Sequence, residues 1–268
     1  MKKIIAVILA LALTLALSAC GGAAAEDKII RVGTAPGPHP EILEFAKEAL
    51  AKEGYTLEIV EFSDYILPNT SLSEGQIDAN YFQHITYMNN FNVDYNLNMV
   101  SAAEIHYEPF GLYAGKTASI DALTEGAQIA VPNDATNEAR ALLLLEQEGL
   151  IKLREGAGIA ATKSDIVENP LNLDIVETNA ELLTSVLQDV DMAVINGNYA
   201  IAADMKVADA LAVEADDGTA AEAYVNIVTV MEGHENDPKI QALVKVLTSE
   251  EVRAYIEQTW PGAVVPLF

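Results

Sequence analysis

Cysteine is nearly absent from this sequence: Cys20 is the only one among 268 residues. An intrachain disulfide is therefore excluded, and the hydrophobic core must hold the fold together. Hydrophobic residues make up 51% of the chain, and a chain of this length can bury one large core or two of ordinary size. We therefore expect two domains or one large one.

Positive charge is also scarce. Lysine and arginine together number 15 against 40 aspartates and glutamates, which gives a formal net charge of −25 at pH 7. A surface this acidic repels nucleic-acid phosphates and anionic lipid headgroups. Nucleic acid is therefore not expected as a partner, and any membrane contact is expected to come from an attached lipid.

The common sequence signatures of catalysis and nucleotide binding are missing as well. The sequence contains no Gly-x-Ser-x-Gly elbow, no Gly-x4-Gly-Lys-Ser/Thr loop and no His-Glu-x-x-His pair. The histidines are scattered along the chain rather than grouped in a tract, as zinc carriers have them: His39, His84, His106 and His234. No catalytic residue, metal or cofactor is predicted.

One long hydrophobic run is present, at the N-terminus. Lys2 and Lys3 precede residues 4–17, in which only Thr14 is polar, and small residues follow. This order of charged, apolar and small residues is typical of a secretory signal, and the run is shorter than the roughly 20 residues of a membrane-spanning helix. We therefore interpret residues 1–19 as a signal peptide.

The signal ends in Leu-Ser-Ala-Cys (17–20), which resembles the lipobox of bacterial lipoproteins. In those proteins the cysteine receives a diacylglyceryl group and becomes the mature N-terminus. We expect Cys20 to anchor the chain in this way, with residues 20–27 as anchor and flexible tether. The alternative is an ordinary export signal with an incidental cysteine.

Further along, strand-like and helix-like segments alternate, which predicts an α/β fold with helix-covered, mostly parallel sheets. The predicted strands include 29–33, 55–62, 128–131, 173–177 and 192–195. The predicted helices include 41–53, 136–149 and 179–188.

The segment 128–150 places a cation at a favourable position. A short apolar strand is followed by a Pro-Asn-Asp turn and a helix, and Arg140 lies in the early turns of that helix. Open α/β sheets bind ligands at this edge, where a helix N-terminus and a guanidinium suit a carboxylate. Alternatively, Arg140 pairs with one of the many surface acids. Three residues are candidates for the helix N-cap: Asn133, Asp134 and Thr136.

Aromatic and amide residues follow other predicted strands. They are Tyr65, Tyr81, Phe82, His84, Tyr87, Asn133, Asn137, Asn196, Asn198 and Tyr199. Such aromatics are equally compatible with an ordinary core, and asparagines at strand ends commonly form turns.

Six ordered blocks together resemble the methionine-binding lipoproteins of bacterial ABC importers (NlpA or MetQ-like lipoproteins). They are GTAPGPHPEILE (33–44), EIVEFSDYILPN (58–69), DANYFQHITYM (78–88), EPFGLYAGK (108–116), VPNDATNEARALLLLEQEGLI (131–151) and AVINGNYA (193–200). The resemblance implies a two-lobed periplasmic-binding-protein-like fold with a ligand cleft between lobes joined by two crossings. We expect lobe I to comprise 28–115 and 198–268, and lobe II to comprise 116–197.

The resemblance also implies the ligand contacts. Arg140 would grip the α-carboxylate of methionine, and Asn198 and Asn226 would meet the polar end of the amino acid. The remaining predicted ligand-binding residues are Tyr65, Phe82, His84 and Tyr87, which would wall the thioether, and Asn137. A cleft with one cation, a few amides and an aromatic wall suits a zwitterion with an apolar side chain.

The expected function is therefore delivery of methionine, in the L form, to an ABC permease and its ATPase by a monomeric lipoprotein on the extracytoplasmic face of the cell membrane. Related ligands stay open: D-methionine, a methionine dipeptide or another apolar amino acid. Two other classes also stay open, an enzyme that uses His84 as a base in the same cleft and a surface adhesin that keeps the fold.

Overall fold

The computed structural model describes residues 28–215 and 219–268. The predicted signal peptide, Cys20 and the tether lie outside the described residues. Within the described ranges, none of the helices combines the length and apolar composition needed to cross a bilayer.

Strands and helices alternate along the described chain. The strands are β1 (Ile29–Thr34), β2 (Thr56–Glu61), β3 (Ala79–His84), β4 (Met99–Tyr107), β5 (Gly111–Ala114), β6 (Gln128–Pro132), β7 (Lys152–Leu153), β8 (Ile166–Glu168), β9 (Asp174–Thr178), β10 (Met192–Ile195), β11 (Ala212–Val213), β12 (Asn226–Met231) and β13 (Val265–Pro266). The α-helices are α1 (Pro38–Lys52), α2 (Leu67–Ser73), α3 (Ile85–Tyr95), α4 (Ala135–Gln147), α5 (Leu183–Val186), α6 (Gly197–Ala202), α7 (Thr219–Ala223), α8 (Pro238–Leu247) and α9 (Glu250–Thr259).

Two sheets form the two lobes. The first has the strand order β13-β4-β12-β3-β1-β2, and the second has the order β11-β5-β10-β6-β9. The α/β, two-lobed prediction is confirmed. The sheets are mixed rather than mostly parallel: β2-β1-β3 and β10-β6-β9 pair in parallel, whereas β12 and β5 pair antiparallel to their neighbours.

The chain passes from the first sheet to the second between β4 and β5, at residues 108–110, and returns to the first sheet between β11 and β12. This placement differs from the predicted division, which put both 111–114 and 198–215 in lobe I. In the structure β5 pairs with β10 and β11 in the second sheet, so the first crossing comes directly after β4. Helix α6 packs on α1 of the first lobe, although β11 returns to the second sheet.

Helix α4 shows how packing fixes the edge of the cleft. Leu142 and Leu145 on α4 and Ile129 and Val131 on β6 are completely buried in one core. Burial of each such side chain stabilises the fold by about 1.5–3 kcal/mol. The helix begins after Asp134, which is the N-cap among the three candidates and whose side chain accepts a hydrogen bond from the helix backbone. The first turns of α4 are therefore held rigidly at the carboxyl end of β6.

Candidate functional site

A cavity lies between the lobes, where segments of both converge. It contains about 340 Å³ of space not filled by protein atoms, part of it open to solvent. The structure brings all eight predicted ligand-binding residues together in its wall: Tyr65, Phe82, His84, Tyr87, Asn137, Arg140, Asn198 and Asn226. Five residues that were not predicted as ligand contacts complete the lining: Gln83, Glu108, Phe110, Asn196 and Gly197.

Arg140 lines the cavity and is paired with a largely buried acid, Glu214. Its Nε and Nη2 donate to the carboxylate of Glu214 at 2.9 and 2.6 Å, and Nη2 also donates to the backbone oxygen of Glu108 at 2.7 Å. The guanidinium lies over the rings of Phe110 and Tyr224, at 4.0 and 4.3 Å from their centres. Arg140 therefore pairs with an acid, as one of the two alternatives from the sequence had it, although that acid is largely shielded from solvent. Its role towards a ligand stays a prediction.

The pair holds both of its members in the charged state. Burial alone would lower the pKa of the Arg140 guanidinium, yet the charge and hydrogen bonds of Glu214 keep it above its ordinary value. Burial would likewise raise the pKa of Glu214, but Arg140 and the Tyr107 hydroxyl keep it below its ordinary value. Because rings and hydrogen bonds together fix the guanidinium plane, Arg140 is pre-oriented towards the cavity.

His84 forms the junction between the lobes. Its Nδ1 accepts a hydrogen bond from the backbone N–H of Tyr87 at 3.0 Å and so caps α3, and its Nε2 lies 3.2 Å from Oδ1 of Asn137 on α4. Nε2 therefore carries the proton, and both ring nitrogens are engaged. Burial, together with the charge of Arg140, lowers the pKa of His84 to about 3. The ring is neutral and has no lone pair left for a base.

Asn137 is oriented by three neighbours. Its Nδ2 donates to the carboxylate of Asp134 at 2.9 Å, so its Oδ1 faces the donors of His84 and of Asn196. Asn196 donates to that oxygen through Nδ2 at 3.2 Å. The Oδ1 of Asn196 is buried and has no hydrogen-bond partner within the described chain.

Three aromatic rings that line the cavity form one cluster. The Tyr65 ring lies 5.7 Å from that of Phe82 and 5.8 Å from that of Tyr87, measured between centres. The Tyr65 hydroxyl donates to Oδ1 of Asn198 at 2.5 Å, and Nδ2 of Asn198 donates to the Pro36 backbone oxygen at 2.8 Å. Asn198 thus ties α6 to two segments of the first lobe.

Tyr81, Asn133 and Tyr199, which were weighed together with the site residues, do not line the cavity. Tyr199 stacks on Tyr65, with 5.1 Å between ring centres. Tyr81 is completely buried in the first lobe.

Glu108 lies at the first crossing and is the centre of a second buried network. Nε2 of His106 donates to its Oε1 at 2.7 Å, and the Tyr81 hydroxyl lies 2.5 Å from Nδ1 of the same ring. Nε2 of His39 lies 3.0 Å from Oδ1 of Asn226 and 3.4 Å from Oε1 of Glu108. Burial lowers the pKa of His39 to about 4 and that of His106 to about 3, so both rings are neutral donors.

The donor atoms of this network could also ligate a metal. Ligand atoms of His39, His106 and Glu108 lie within 4.8 Å of one another. The scattered histidines gave no sign of this, because His39 and His106 meet only through the packing of α1 on the first sheet. In the structure each Nε2 faces an oxygen acceptor as a donor. Nδ1 of His39 is buried and has no hydrogen-bond partner in the described chain.

The predictions from sequence did not identify Glu108, Glu214 or Asn196 as functional residues. Two of them are acids among 40, and no pattern in the neighbouring sequence distinguishes an acid that the fold will shield from solvent. Asn196 was weighed only as a residue that follows a predicted strand.

Proteins of known family and structure resemble this chain along nearly its whole length. A sequence model of the NlpA lipoprotein family matches residues 30–268. A D-methionine-binding lipoprotein, MetQ, from Salmonella typhimurium is 39% identical over 98% of this chain and 97% of its own length.

Two solved structures extend the comparison to the fold. A lipoprotein from Ruminococcus gnavus is 52% identical, with a TM-score of 0.88 over 90% of this chain and 100% of that one. A nutrient binding protein from Burkholderia cenocepacia bound to methionine is 41% identical, with a TM-score of 0.84 over 89% of this chain and 100% of that one. These matches cover both lobes and the crossings between them, and the chain belongs to the NlpA lipoprotein family.

Proposed function

We propose that this chain is the extracytoplasmic substrate-binding lipoprotein of an ABC importer and that it binds methionine in the cavity between its lobes. The observation that carries the proposal is the polarity of the cavity. Its wall contains a guanidinium, that of Arg140, which packs on Phe110, and a separate cluster of aromatic rings around Tyr65. A free amino acid with an apolar side chain has this same polarity. The methionine bound by the Burkholderia relative supports the choice of ligand.

The polar end of the ligand is assigned to Arg140. Its hydrogen bonds to Glu214 and to the Glu108 backbone use Nε and Nη2, and we assign Nη1 to the ligand carboxylate. His39 donates to Oδ1 of Asn226, which directs the Nδ2 donor of Asn226 elsewhere and gives the carboxylate a second donor.

The side chain of the ligand is assigned to Tyr65, Phe82 and Tyr87, with the edge of His84. A thioether gains roughly 0.3–1.5 kcal/mol from each aromatic contact beyond ordinary packing. Several such contacts favour methionine over an aliphatic residue of similar size. His84 contributes here as a neutral ring, because both of its nitrogens are engaged within the protein.

Binding rather than catalysis is the activity we assign to the cleft. The enzyme alternative needed His84 as a base, and that ring has no free lone pair. The curated relative compared above is named as a binding lipoprotein. Delivery to a permease then follows from closure of two lobes around a ligand, which presents one surface to the transporter.

Thermal melts of ligand-stripped protein test the proposal. A ligand at a thousandfold excess over Kd stabilises the folded state by about 4 kcal/mol, or about 8–16 °C at roughly 2–4 °C per kcal/mol. We expect L-methionine to give the largest shift, leucine a smaller one, and glutamate or lysine almost none. D-methionine and a methionine dipeptide belong in the same panel, because they share the side chain that we assign to the aromatic rings.

Norleucine is the matched control, since it replaces the sulfur with a methylene at nearly constant shape. A norleucine shift as large as the methionine shift would refute the thioether assignment. A stripped protein that responds to a sugar, a polyamine or a metal ion but ignores methionine would refute the ligand class.

Membrane attachment through Cys20 is tested by fractionation. A Cys20→Ser form is expected in the soluble fraction after cell disruption without detergent, while the unmodified chain sediments with membranes. The reason is that stable anchoring requires more than one acyl chain, and in lipoproteins the lipidated cysteine supplies them. Recovery of the unmodified chain in the soluble fraction under the same conditions would exclude Cys20 as the anchor.

A further inference from the structure

Outside the cavity, the second lobe contacts the first through a tyrosine at the start of α6. Helix α6 lies in the chain between β10 and β11, which both belong to the second sheet. Tyr199 on this helix is buried in a hydrophobic cluster of the second lobe, together with Ala193 and Ile195 of β10. The second lobe therefore carries the Tyr199 ring.

This ring meets the first lobe at residues 63–65, the segment that follows β2. The Tyr199 hydroxyl donates to the backbone oxygen of Ser63 at 3.1 Å, and the Tyr199 ring stacks on that of Tyr65. Burial raises the pKa of Tyr199, so the hydroxyl keeps the proton that it donates. We call this contact, Tyr199 against residues 63–65, the clasp.

The segment 63–65 is itself held firmly by the first lobe. The Asp64 carboxylate accepts hydrogen bonds from the backbone N–H groups of Ile66 and Leu67 at 2.7 and 2.8 Å, where α2 begins. The Tyr65 ring packs beside Phe82 of β3. The clasp therefore joins the two lobes themselves rather than a loose loop to one of them.

A ligand in the cavity is enclosed by side chains of both lobes. Phe82 on β3 and Arg140 on α4 are each 3% exposed, although both line the cavity. A ligand behind such walls enters and leaves when the lobes separate. Separation takes the Tyr199 hydroxyl away from Ser63 and the Tyr199 ring away from Tyr65, so the clasp must break before the ligand is released.

Two other hydrogen bonds between the lobes use side chains of the cavity wall. They join His84 to Asn137 and Tyr65 to Asn198. A substitution at any of these four residues would change the lining of the cavity and the contact between the lobes at once. Tyr199 lies behind Tyr65 and outside the lining, so its contribution can be measured without altering a side chain of the cavity wall.

We propose that Tyr199 is a positioning residue that holds the lobes together over the bound ligand and fixes the Tyr65 ring from outside the cavity. This inference rests on the proposed function and deepens it, since a contact that the ligand never touches then controls how long methionine is retained. The clasp forms once the lobes have met. Its loss should therefore raise the rate constant of release, koff, and leave that of association, kon, unchanged.

Two measurements on the loaded and stripped protein test the proposal. Calorimetry gives Kd, and the release of isotopically labelled methionine into an excess of unlabelled methionine gives koff. Tyr199→Phe removes one hydrogen bond and should raise koff about two- to tenfold. Tyr199→Leu also removes the ring stack and should raise koff about tenfold or more. The ratio koff/Kd, which is kon, should stay within about twofold of the wild-type value in both.

Tyr113 provides the matched controls. It is 3% exposed and belongs to the same hydrophobic cluster of the second lobe. Among the described residues, its hydroxyl donates no hydrogen bond to the first lobe and its ring does not stack on Tyr65. Tyr113→Phe and Tyr113→Leu should therefore leave koff at its wild-type value. If destabilisation of the second lobe alone accelerated release, these variants would accelerate it too.

Three results would count against the proposal. A wild-type koff in both Tyr199 variants would overturn this inference alone, since methionine still binds. A loss of affinity that arises from slower association would overturn it as well. Wild-type protein that binds no methionine would overturn the proposed function and this inference with it. Tyr199→Phe keeps an aromatic ring in the cluster, so its koff alone decides if Tyr199→Leu does not fold.

Discussion

Replacing Arg140 with alanine is expected to weaken methionine binding by about thirtyfold to several thousandfold. Loss of one partner from a buried, hydrogen-bonded charge pair costs about 2–5 kcal/mol, and each 1.4 kcal/mol is a factor of ten in Kd. The ligand carboxylate would lose the guanidinium that Phe110 and Tyr224 hold in place. Calorimetry on stripped protein measures the effect directly. Near-normal affinity in Arg140→Ala would remove Arg140 from the site.

The unliganded protein should be destabilised by the same substitution, because the largely buried Glu214 is left without its partner. An unpaired charge of this kind lowers the free energy of unfolding by about 3–5 kcal/mol. The double variant Arg140→Ala/Glu214→Gln removes the orphaned charge, so it should recover part of the stability and none of the affinity. Arg140→Lys should rescue binding only in part, since the bidentate fork is lost. These variants separate the role of Arg140 in the fold from its role towards the ligand.

Local signals in the sequence predicted the segment that carries Arg140 well. The apolar strand, the Pro-Asn-Asp turn and the periodic helix all appear within 128–150, and the structure places β6 and α4 there with Asp134 as the cap. Hydrophobic periodicity and capping act over a few residues, so a single sequence displays them.

The pairing of strands was harder to predict from the sequence. The segment 111–114 was predicted as extended, but its assignment to lobe I differed from its pairing with β10, which lies about 80 residues further along the chain. That pairing depends on where the chain turns at the first crossing. Periodicity gives the faces of a strand and not its neighbours.

The sequence predicted those parts of the site in which the type of a residue alone limits what its side chain can bind. A lone arginine after a strand and a set of aromatics suggested an amino-acid site, and the family resemblance supplied the selection of eight residues. Glu108 and Glu214 could not be singled out, because burial distinguishes them from the other acids and burial is a property of the fold. Glu108 is buried and Glu214 is largely buried. Of these two carboxylates, only Glu214 has a cationic partner in direct contact within the described chain.

Replacing Tyr87 with alanine is expected to reduce both the stability of the unliganded protein and its response to methionine. The Tyr87 ring lines the cavity, yet it is only 8% exposed and packs on Phe91, with 6.0 Å between ring centres. Deletion of a buried aromatic ring costs about 3–5 kcal/mol. The same deletion removes part of the wall that contacts the thioether. Melts with and without saturating methionine measure the two effects separately.

Phe91→Ala is the control that isolates packing from binding. Phe91 belongs to the same hydrophobic cluster and is 4% exposed, but it does not line the cavity. The Phe91→Ala substitution should lower the melting temperature of the unliganded protein by a similar amount. The increase in melting temperature caused by methionine should keep its wild-type size. Tyr87→Phe, which removes only the hydrogen bond to the Tyr65 backbone oxygen, should cost about 1 kcal/mol. If Tyr87→Ala matches Phe91→Ala in keeping the full methionine shift, the ring supports the lobe and does not contact the ligand.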